Sequence, residues 1–395
     1  MDGVAQNAPD YVARARALGP AIAAAADDTE RGRELPAPLV STLAANGLFR
    51  LLQPSALGGA ELTPMQFAEV MEELAKWDAS TAWCLGQGNG CGAAAAYLDP
   101  AVAREIFGPD DGIVAWGPPS GSAEAKKVPG GYRLTGSWSF ASGSHNATWF
   151  GAHIFERGED GAPRRRADGG TILRTLLFPK AKAVMTDIWK VLGLRGTGSD
   201  AYSVTDLFVA DDHTVLHDRT IPARQPGRLY RFSFSNLYAS GFAGLALGVA
   251  RAFHDSFVAL AAEKTPRGAP STLRHNNVVQ SQVAQSEARL RSARAFLLTS
   301  LAEIWESVGA CGEVTLSDNA TIRLASTWAI QQARLVVAEL YHAAGATAIF
   351  NAEPFERRFR DINTIAQQMQ GAQRHFETVG GILMGLAPDA TMFTF

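Results

Sequence analysis

Cysteine is scarce in this chain. Cys84, Cys91 and Cys311 are its three cysteines among 395 residues. None stands in a CxxC pair, so neither a disulfide framework nor a metal site is expected, and a reducing cytoplasm fits. Excess charge is lacking as well. The 36 Lys and Arg against 39 Asp and Glu leave a net charge of −3, which gives no electrostatic footprint for nucleic acid or an anionic membrane. The one dense basic run, Arg164 to Arg166, lies between GEDGAP and ADGG and reads as a solvated hairpin tip. No GxGxxG fingerprint or P-loop occurs, so no nicotinamide or nucleoside-triphosphate fold is expected. The opening residues, MDGVAQNAPDYVARARALG, lack the apolar stretch of a secretory leader. No apolar run reads as a membrane span. Leu237 to Leu260 comes nearest, and Ser240, Arg251, His254 and Asp255 interrupt it.

What the chain has is length and apolar content, 47% hydrophobic over 395 residues, enough for more than one core. Its periodicity changes twice. Residues 1–112 read as helical, with Thr63 capping a helix that has Pro64 at its first position. A further helix, Thr81 to Leu98, carries Gly86, Gly88, Gly90 and Gly92. So many glycines destabilise a helix unless a neighbouring helix or a ligand packs closely on it. Residues 113–225 read as short β-branched and aromatic strands split by Gly, Pro and Asp turns, the spacing of a small antiparallel barrel or sandwich. Residues 226–395 read as four long amphipathic helices, Leu237 to Glu263, Asn277 to Gly309, Ser317 to Gly345 and Pro354 to Gly385, which argues for a bundle and an oligomerisation surface.

Two stretches stand out. Trp189 to Val209, WKVLGLRGTGSDAYSVTDLFV, runs through a turn-rich centre into a strand. Its glycines let the backbone approach a bound group, and Arg195, Thr197 and Ser199 add a fixed cation and two hydroxyls. Its partner is Gly136 to Ser144, GSWSFASGS, at the end of a strand. Small hydroxyl residues between Trp138 and Trp149 suit a flat aromatic ligand with polar ring atoms, although such strand ends also occur as plain turns.

The helix–strand–helix order and the WxxxGxRGTxS segment resemble the acyl-CoA dehydrogenase superfamily over essentially the whole chain. Within it the chain is most similar to the flavin-dependent two-component monooxygenases (group D). The marks are SWSFASGS (Ser137 to Ser144), GLRGTGSDAYSVTDLFV, Arg360-Asp361 and the QRHFETVG run from Gln373 to Gly380. The resemblance implies an α+β multidomain fold with an N-terminal helical domain, a central β domain and a C-terminal four-helix bundle. It also implies a homotetramer, reduced FMN or FAD supplied by a separate NAD(P)H:flavin reductase, and oxygen held as a C4a-hydroperoxyflavin. Members hydroxylate phenols or oxidise nitrogen or sulfur. Dehydrogenases of the superfamily instead remove a proton with a glutamate. The corresponding stretch here, Gln367 to Gly371, has no carboxylate, and a base must lie within hydrogen-bond reach of its proton.

By resemblance, Ser142 is the hydroxyl that meets flavin N5, with Trp138, Phe140 and Trp149 helping to exclude water. His375 faces the oxygen-bearing edge and donates a proton or holds the substrate. Trp138, Arg195, Thr197, Ser199 and Arg267 are further cofactor contacts, and Tyr341 to Ala346 is a place for an adenine half. Trp83, Asn89 and Cys91 line the substrate pocket. Phenol-hydroxylating relatives carry a histidine on the helix that here holds Gln87, Asn89 and Cys91, and an amide is no base at neutral pH. Heteroatom oxidation, or hydroxylation of an already electron-rich ring, is therefore as open as hydroxylation of an activated phenol. Two other readings remain: a dehydrogenase using Glu377 or Asp361 as an atypical base, and a non-catalytic flavin-binding scaffold.

Overall fold

Thr63 starts the helix around which the first region is built. Its hydroxyl accepts from Gln66 N–H at 3.2 Å, and the Gln66 side chain accepts from Thr63 N–H at 3.1 Å. This reciprocal cap satisfies two donors that a helix start leaves orphaned. In the computed structural model, residues 10–158, 161–165, 170–217 and 222–387 are described. The opening residues 1–9 and Arg166, on which two of the sequence expectations fall, lie outside them. Five helices come first: α1 (Tyr11–Gly32), α2 (Ala37–Ala45), α3 (Pro64–Ala75), α4 (Ala79–Gly92) and α5 (Pro100–Phe107). The helix expected over Thr81 to Leu98 stops at Gly92 and continues as a 3-10 turn, Ala93–Tyr97.

Among the described residues eight strands follow: β1 (Val114–Trp116), β2 (Glu124–Val128), β3 (Gly131–Ala141), β4 (Trp149–Phe155), β5 (Leu173–Pro179), β6 (Val184–Thr186), β7 (Asp200–Ala210) and β8 (Thr214–His217). They form two sheets, β1-β4-β5-β8 and β2-β3-β7-β6. All pairings are antiparallel except β1 with β4, which is parallel. The space between the sheets is filled by Trp138, Phe150, Phe178 and Tyr202. Their polar ends reach across it: Trp138 Nε1 donates to His153 O at 3.0 Å, and Tyr202 Oη donates to Gly151 O at 2.5 Å. A buried indole or phenol needs such a partner.

The last region has α6 (Phe234–Glu263), α7 (Asn277–Cys311), α8 (Leu316–Ala344), α9 (Glu356–Gln367) and α10 (Arg374–Leu383). The fourth long helix of the sequence reading is thus two short helices, broken by a 3-10 turn at Met369–Gly371. The break frees backbone carbonyls at 369–371 for side chains from α8 and α10. By length and hydropathy α6 does qualify as a membrane span, contrary to the expectation from its polar residues. In the fold it is a core helix, buried from Ser235 to Ala250, because it is the central element on which α3, α4, α7 and α8 pack. Small residues bring it close to α3. A β-carbon on Gly244 would fall 2.1 Å from Ala68 O, and one on Gly248 2.1 Å from Glu72 O.

The glycines of α4 have the same explanation. Gly90 faces the Tyr238 ring, where a β-carbon would sit 2.2 Å from Cε1, and Gly86 faces Phe242 and Met71. Neighbouring helix and loop side chains, not a ligand, account for them.

Candidate active site

Three hydroxyls and an indole meet where α4, the turn after β3 and the turn before β7 converge. Trp83 Nε1, on α4, donates to Ser142 Oγ at 2.9 Å. Ser142 Oγ lies 2.7 Å from Ser199 Oγ, which lies 2.6 Å from Thr197 Oγ1. Thr197 Oγ1 donates to Leu194 O at 2.9 Å. The two turns are tied through their backbones as well, since Gly143 N–H donates to Thr197 O at 2.8 Å. Trp83 stacks on Phe242 of α6 at 4.1 Å, and Phe242 on Tyr238 at 5.7 Å. An aromatic ladder from the helical regions therefore ends on the hydroxyl group that the sequence singled out.

Leu194 is the corner of this arrangement. It is a non-glycine residue at φ 52°, a region that costs an ordinary side chain energy unless the surroundings hold it. Asp361 of α9 holds it by accepting Leu194 N–H at 2.6 Å, while Leu194 O takes Trp189 Nε1 at 2.9 Å and Thr197. Burial pushes the Asp361 carboxyl up to about 7, against the pull of the Leu194 N–H. The glycines of this segment serve packing within the chain and not the approach of a bound group. A β-carbon on Gly193 would fall 2.3 Å from Arg360 O, and one on Gly196 2.2 Å from Thr29 Cγ2.

The other candidate lies at the break between α9 and α10. His375 is 6% exposed, and its Nε2–H donates to Met369 O at 2.7 Å. Burial and the nearby Arg323 guanidinium push it down to about 4, so it is neutral at pH 7. The expectation that it donates a proton is corrected accordingly: Nε2–H is spent on Met369, and Nδ1 is left as an acceptor. Next to it, Arg323 of α8 donates to the Gln370 side-chain carbonyl and to Ser235 Oγ at 2.5 Å. Thr327 and Gln331 donate to Gln370 O at 3.1 Å and Gly371 O at 2.7 Å. Gln370 is thereby clamped, a residue whose part in the site the sequence reading did not see beyond its lack of charge.

Several sequence candidates lie elsewhere. Trp138 is 1% exposed between the sheets, so it is a core residue and not a cofactor contact. Phe140 is the aromatic that faces outward. It is 56% exposed, has φ 61°, and meets Trp189 edge-on at 6.0 Å. Asn89 holds the loop before α3 with all its polar atoms: Leu51 N–H donates to its Oδ1 at 2.7 Å, and its Nδ2 donates to Leu48 O and Leu85 O. Cys91 is fully buried against Tyr238, 3.6 Å from its hydroxyl, and burial raises its thiol pKa. Both are fully buried. Arg195 points away from the hydroxyls into a groove of about 900 Å³ that it shares with Glu30, Trp189 and Arg360, and its Nη1 pairs with Glu30 at 3.3 Å. Arg267 is exposed in the turn after α6. Tyr341 stacks on Phe359 at 4.1 Å.

The residues present fit a flavin. A planar ring with polar edge atoms needs a flat apolar face beside hydroxyl partners; Phe140, in the irregular end of β3, and Ser142, in the turn that follows it, supply them. Residues 13–101 match the acyl-CoA dehydrogenase N-terminal domain and residues 240–372 the acyl-CoA dehydrogenase C-terminal domain. The chain is 29% identical over 386 residues to indole-3-acetate monooxygenase of Pseudomonas putida, covering 95% of this chain and 96% of the relative. It is 26% identical over 398 residues to the oxygenase component of FADH(2)-dependent resorcinol hydroxylase of a Rhizobium species, covering 95% and 94%. Among solved structures, XiaF from Streptomyces in complex with FADH2 and glycerol superimposes with a TM-score of 0.87 at 25% identity over 96% of each chain. This chain belongs to the acyl-CoA dehydrogenase family. Within that family it is a flavin-dependent monooxygenase of the two-component kind.

Proposed function

We propose that this chain receives reduced FMN or FAD from a separate NAD(P)H:flavin reductase and puts one oxygen atom of O2 onto an electron-rich aromatic ring, or onto a nitrogen or sulfur atom of a small molecule. When bound, the reduced flavin supplies the two electrons with which O2 is activated. The observation that carries this reading is what stands where a hydrogen-abstracting base would be needed. Gln370 occupies that stretch with its amide clamped by Arg323, Asp361 is committed to Leu194 N–H, and Glu377 is exposed. The reading as a dehydrogenase with an atypical base therefore loses both of its candidates.

Ser142 meets the N5 edge of the ring with its free lone pair. Trp83 and Phe242 close the apolar wall behind it and keep water out, which favours coupling of oxygen to substrate over release as peroxide. His375 Nδ1 accepts a hydrogen bond from a substrate O–H or N–H. An aromatic substrate is favoured by the Trp83, Phe242 and Tyr238 stack, and the relatives named for indole-3-acetate and resorcinol support it. Helix α4 offers no base, since Asn89 and Cys91 are turned into the core. Rings that need no deprotonation, such as indoles, therefore suit the site better than phenols. The reading includes a homotetramer, supported by exposed Phe296, Trp328 and Leu335 on the outer helices, and a cytoplasmic location, supported by three free cysteines.

The test supplies photoreduced FMN or FAD, then labelled O2, with panels of indoles, phenols, amines and thioethers. One labelled oxygen in a product is expected. Reduction of a bound oxidised flavin by an acyl-CoA would overturn the reading. Ser142→Ala is expected to raise peroxide release more than it weakens flavin binding, and His375→Ala to cut product formation roughly tenfold, the worth of about one hydrogen bond.

A further inference from the structure

The hydroxyl line has a direction. Leu194 O can only accept, so the Thr197 proton is spent there, at 2.9 Å. Thr197 Oγ1 then accepts from Ser199, whose proton is spent across 2.6 Å. Ser199 Oγ accepts from Ser142 across 2.7 Å. At the other end Trp83 Nε1 can only donate, and it donates into Ser142 Oγ at 2.9 Å. Each hydroxyl carries one proton and two lone pairs. The line ends on a group that can only take, so the orientation with every proton toward Leu194 makes the most hydrogen bonds; in it the second lone pair of Ser142 is open. Ser142 keeps one lone pair and has no proton to offer outward.

Reversal is possible at a cost. Thr197 would turn its proton from Leu194 O to Ser199, Ser199 its proton to Ser142, and Ser142 its proton outward. Leu194 O would still hold Trp189 Nε1, at 2.9 Å. The net loss is one hydrogen bond, which corresponds to roughly two- to tenfold in population.

We infer that Thr197 and Ser199 set the redox preference of the flavin site by fixing Ser142 as an acceptor. Reduced flavin carries a hydrogen on N5 and needs an acceptor there. Oxidised flavin has a bare N5 lone pair and needs a donor. The inward orientation therefore favours the reduced ring, and binding the oxidised ring requires the whole line to turn over. Thr197 and Ser199 are positioning residues that act through Ser142. The inference rests on the reading that Ser142 meets N5.

The experiment measures dissociation constants of reduced and oxidised FMN, and likewise of FAD, under anaerobic conditions by equilibrium ultrafiltration. The proteins are the unsubstituted chain and the variants Thr197→Val, Thr197→Ser, Ser199→Ala and Ser142→Ala. The unsubstituted chain is expected to prefer the reduced form. Thr197→Val removes the terminal donor and Ser199→Ala removes the acceptor of the Ser142 proton. Each is expected to shift the reduced-to-oxidised affinity ratio roughly two- to tenfold toward the oxidised form, as the hydrogen-bond arithmetic gives, and Thr197→Ser to restore the original ratio. If Ser142→Ala changes the ratio while neither Thr197→Val nor Ser199→Ala does, the inference is overturned and the N5 contact stands. If Ser142→Ala leaves both affinities unchanged, the N5 contact itself is overturned. A general packing defect weakens both redox forms alike and leaves the ratio in place, which also counts against the inference.

Discussion

Leu194 N–H and Asp361 Oδ1 lie 2.6 Å apart, and through this bond helix α9 fixes the corner from which the hydroxyl line hangs. Asp361→Ala removes the acceptor and leaves a buried N–H unpaired, so a loss of about 1–3 kcal/mol is expected. Asp361→Asn keeps an acceptor and removes the charge. The folded carboxyl titrates at about 7, above the ordinary value of 3.8. The folded state therefore holds a proton that the unfolded chain has released in between. This contribution to stability is full below the unfolded value and is lost as pH rises through about 7. Urea unfolding at pH 5, 7 and 8.5 is expected to show Asp361→Asn gaining on the unsubstituted chain as pH rises. A constant difference at all three would argue against the raised carboxyl.

Three histidines act in the opposite sense. Burial pushes His375 and His217 down to about 4 and His153 well below 6.5. Thr175 Oγ1 sits 2.6 Å from both His153 Nδ1 and His217 Nε2, which suits two neutral rings. The unfolded chain takes up protons first, so stability is present above pH 6.5 and lost as pH falls toward 4, by up to about 1.4 kcal/mol per pH unit for each group. Three such groups outweigh the single Asp361 term in that window. Unfolding midpoints should therefore drop steeply between pH 6.5 and 4.5, and His217→Gln should make the drop shallower. An unchanged slope in that variant would rule His217 out.

Trp138 and Phe140 are expected to part company on substitution. Trp138→Leu opens a cavity between the sheets and breaks the bond to His153 O, at about 3–5 kcal/mol in the range for large core truncations. Phe140→Ala removes an exposed ring and should change stability by under about 0.5 kcal/mol while weakening flavin binding. Thermal melts paired with flavin titration decide it. A Trp138→Leu protein that melts normally would contradict the core assignment.

At the α4–α6 contact, a methyl on Gly90 would collide with the Tyr238 ring. Gly90→Ala should cost about 1–3 kcal/mol, as overpacking does, despite the better helix propensity of alanine. Tyr238→Leu in the same chain should recover part of that loss, a coupling that a double-mutant cycle reads directly. Additive losses would mean that the clash is relieved some other way.

The sequence was most legible where local chemistry decides structure. Thr63 with Pro64 marked a helix start because cap and first-turn preferences are short-range. The change from helical to strand spacing near residue 113 followed from side-chain period alone. It was least legible where one residue of register matters. Between Trp138 and Ala141 the β3–β7 pairing shifts; Trp138 is buried and Phe140 exposed, a difference that strand alternation alone does not show. A bulge inverts the faces of a strand without changing its composition. Glycine purpose was equally hidden, since a close approach reads the same whether a ligand or a helix makes it. Asn89 looked like a pocket amide because nothing local reveals that the loop at Leu48 and Leu51 takes up its polar atoms.

The small-residue seam of α3 against α6 sets what the enzyme can do in motion. With Gly244 and Gly248 seated against the carbonyls of Ala68 and Glu72, the two helical regions are welded backbone to backbone, and a hinge between them would have to tear that weld. Breathing room for an entering substrate is left to segments outside that seam, of which the exposed bulge at Phe140 is one. Engineering a wider substrate range should begin with those segments and leave the helical seam alone.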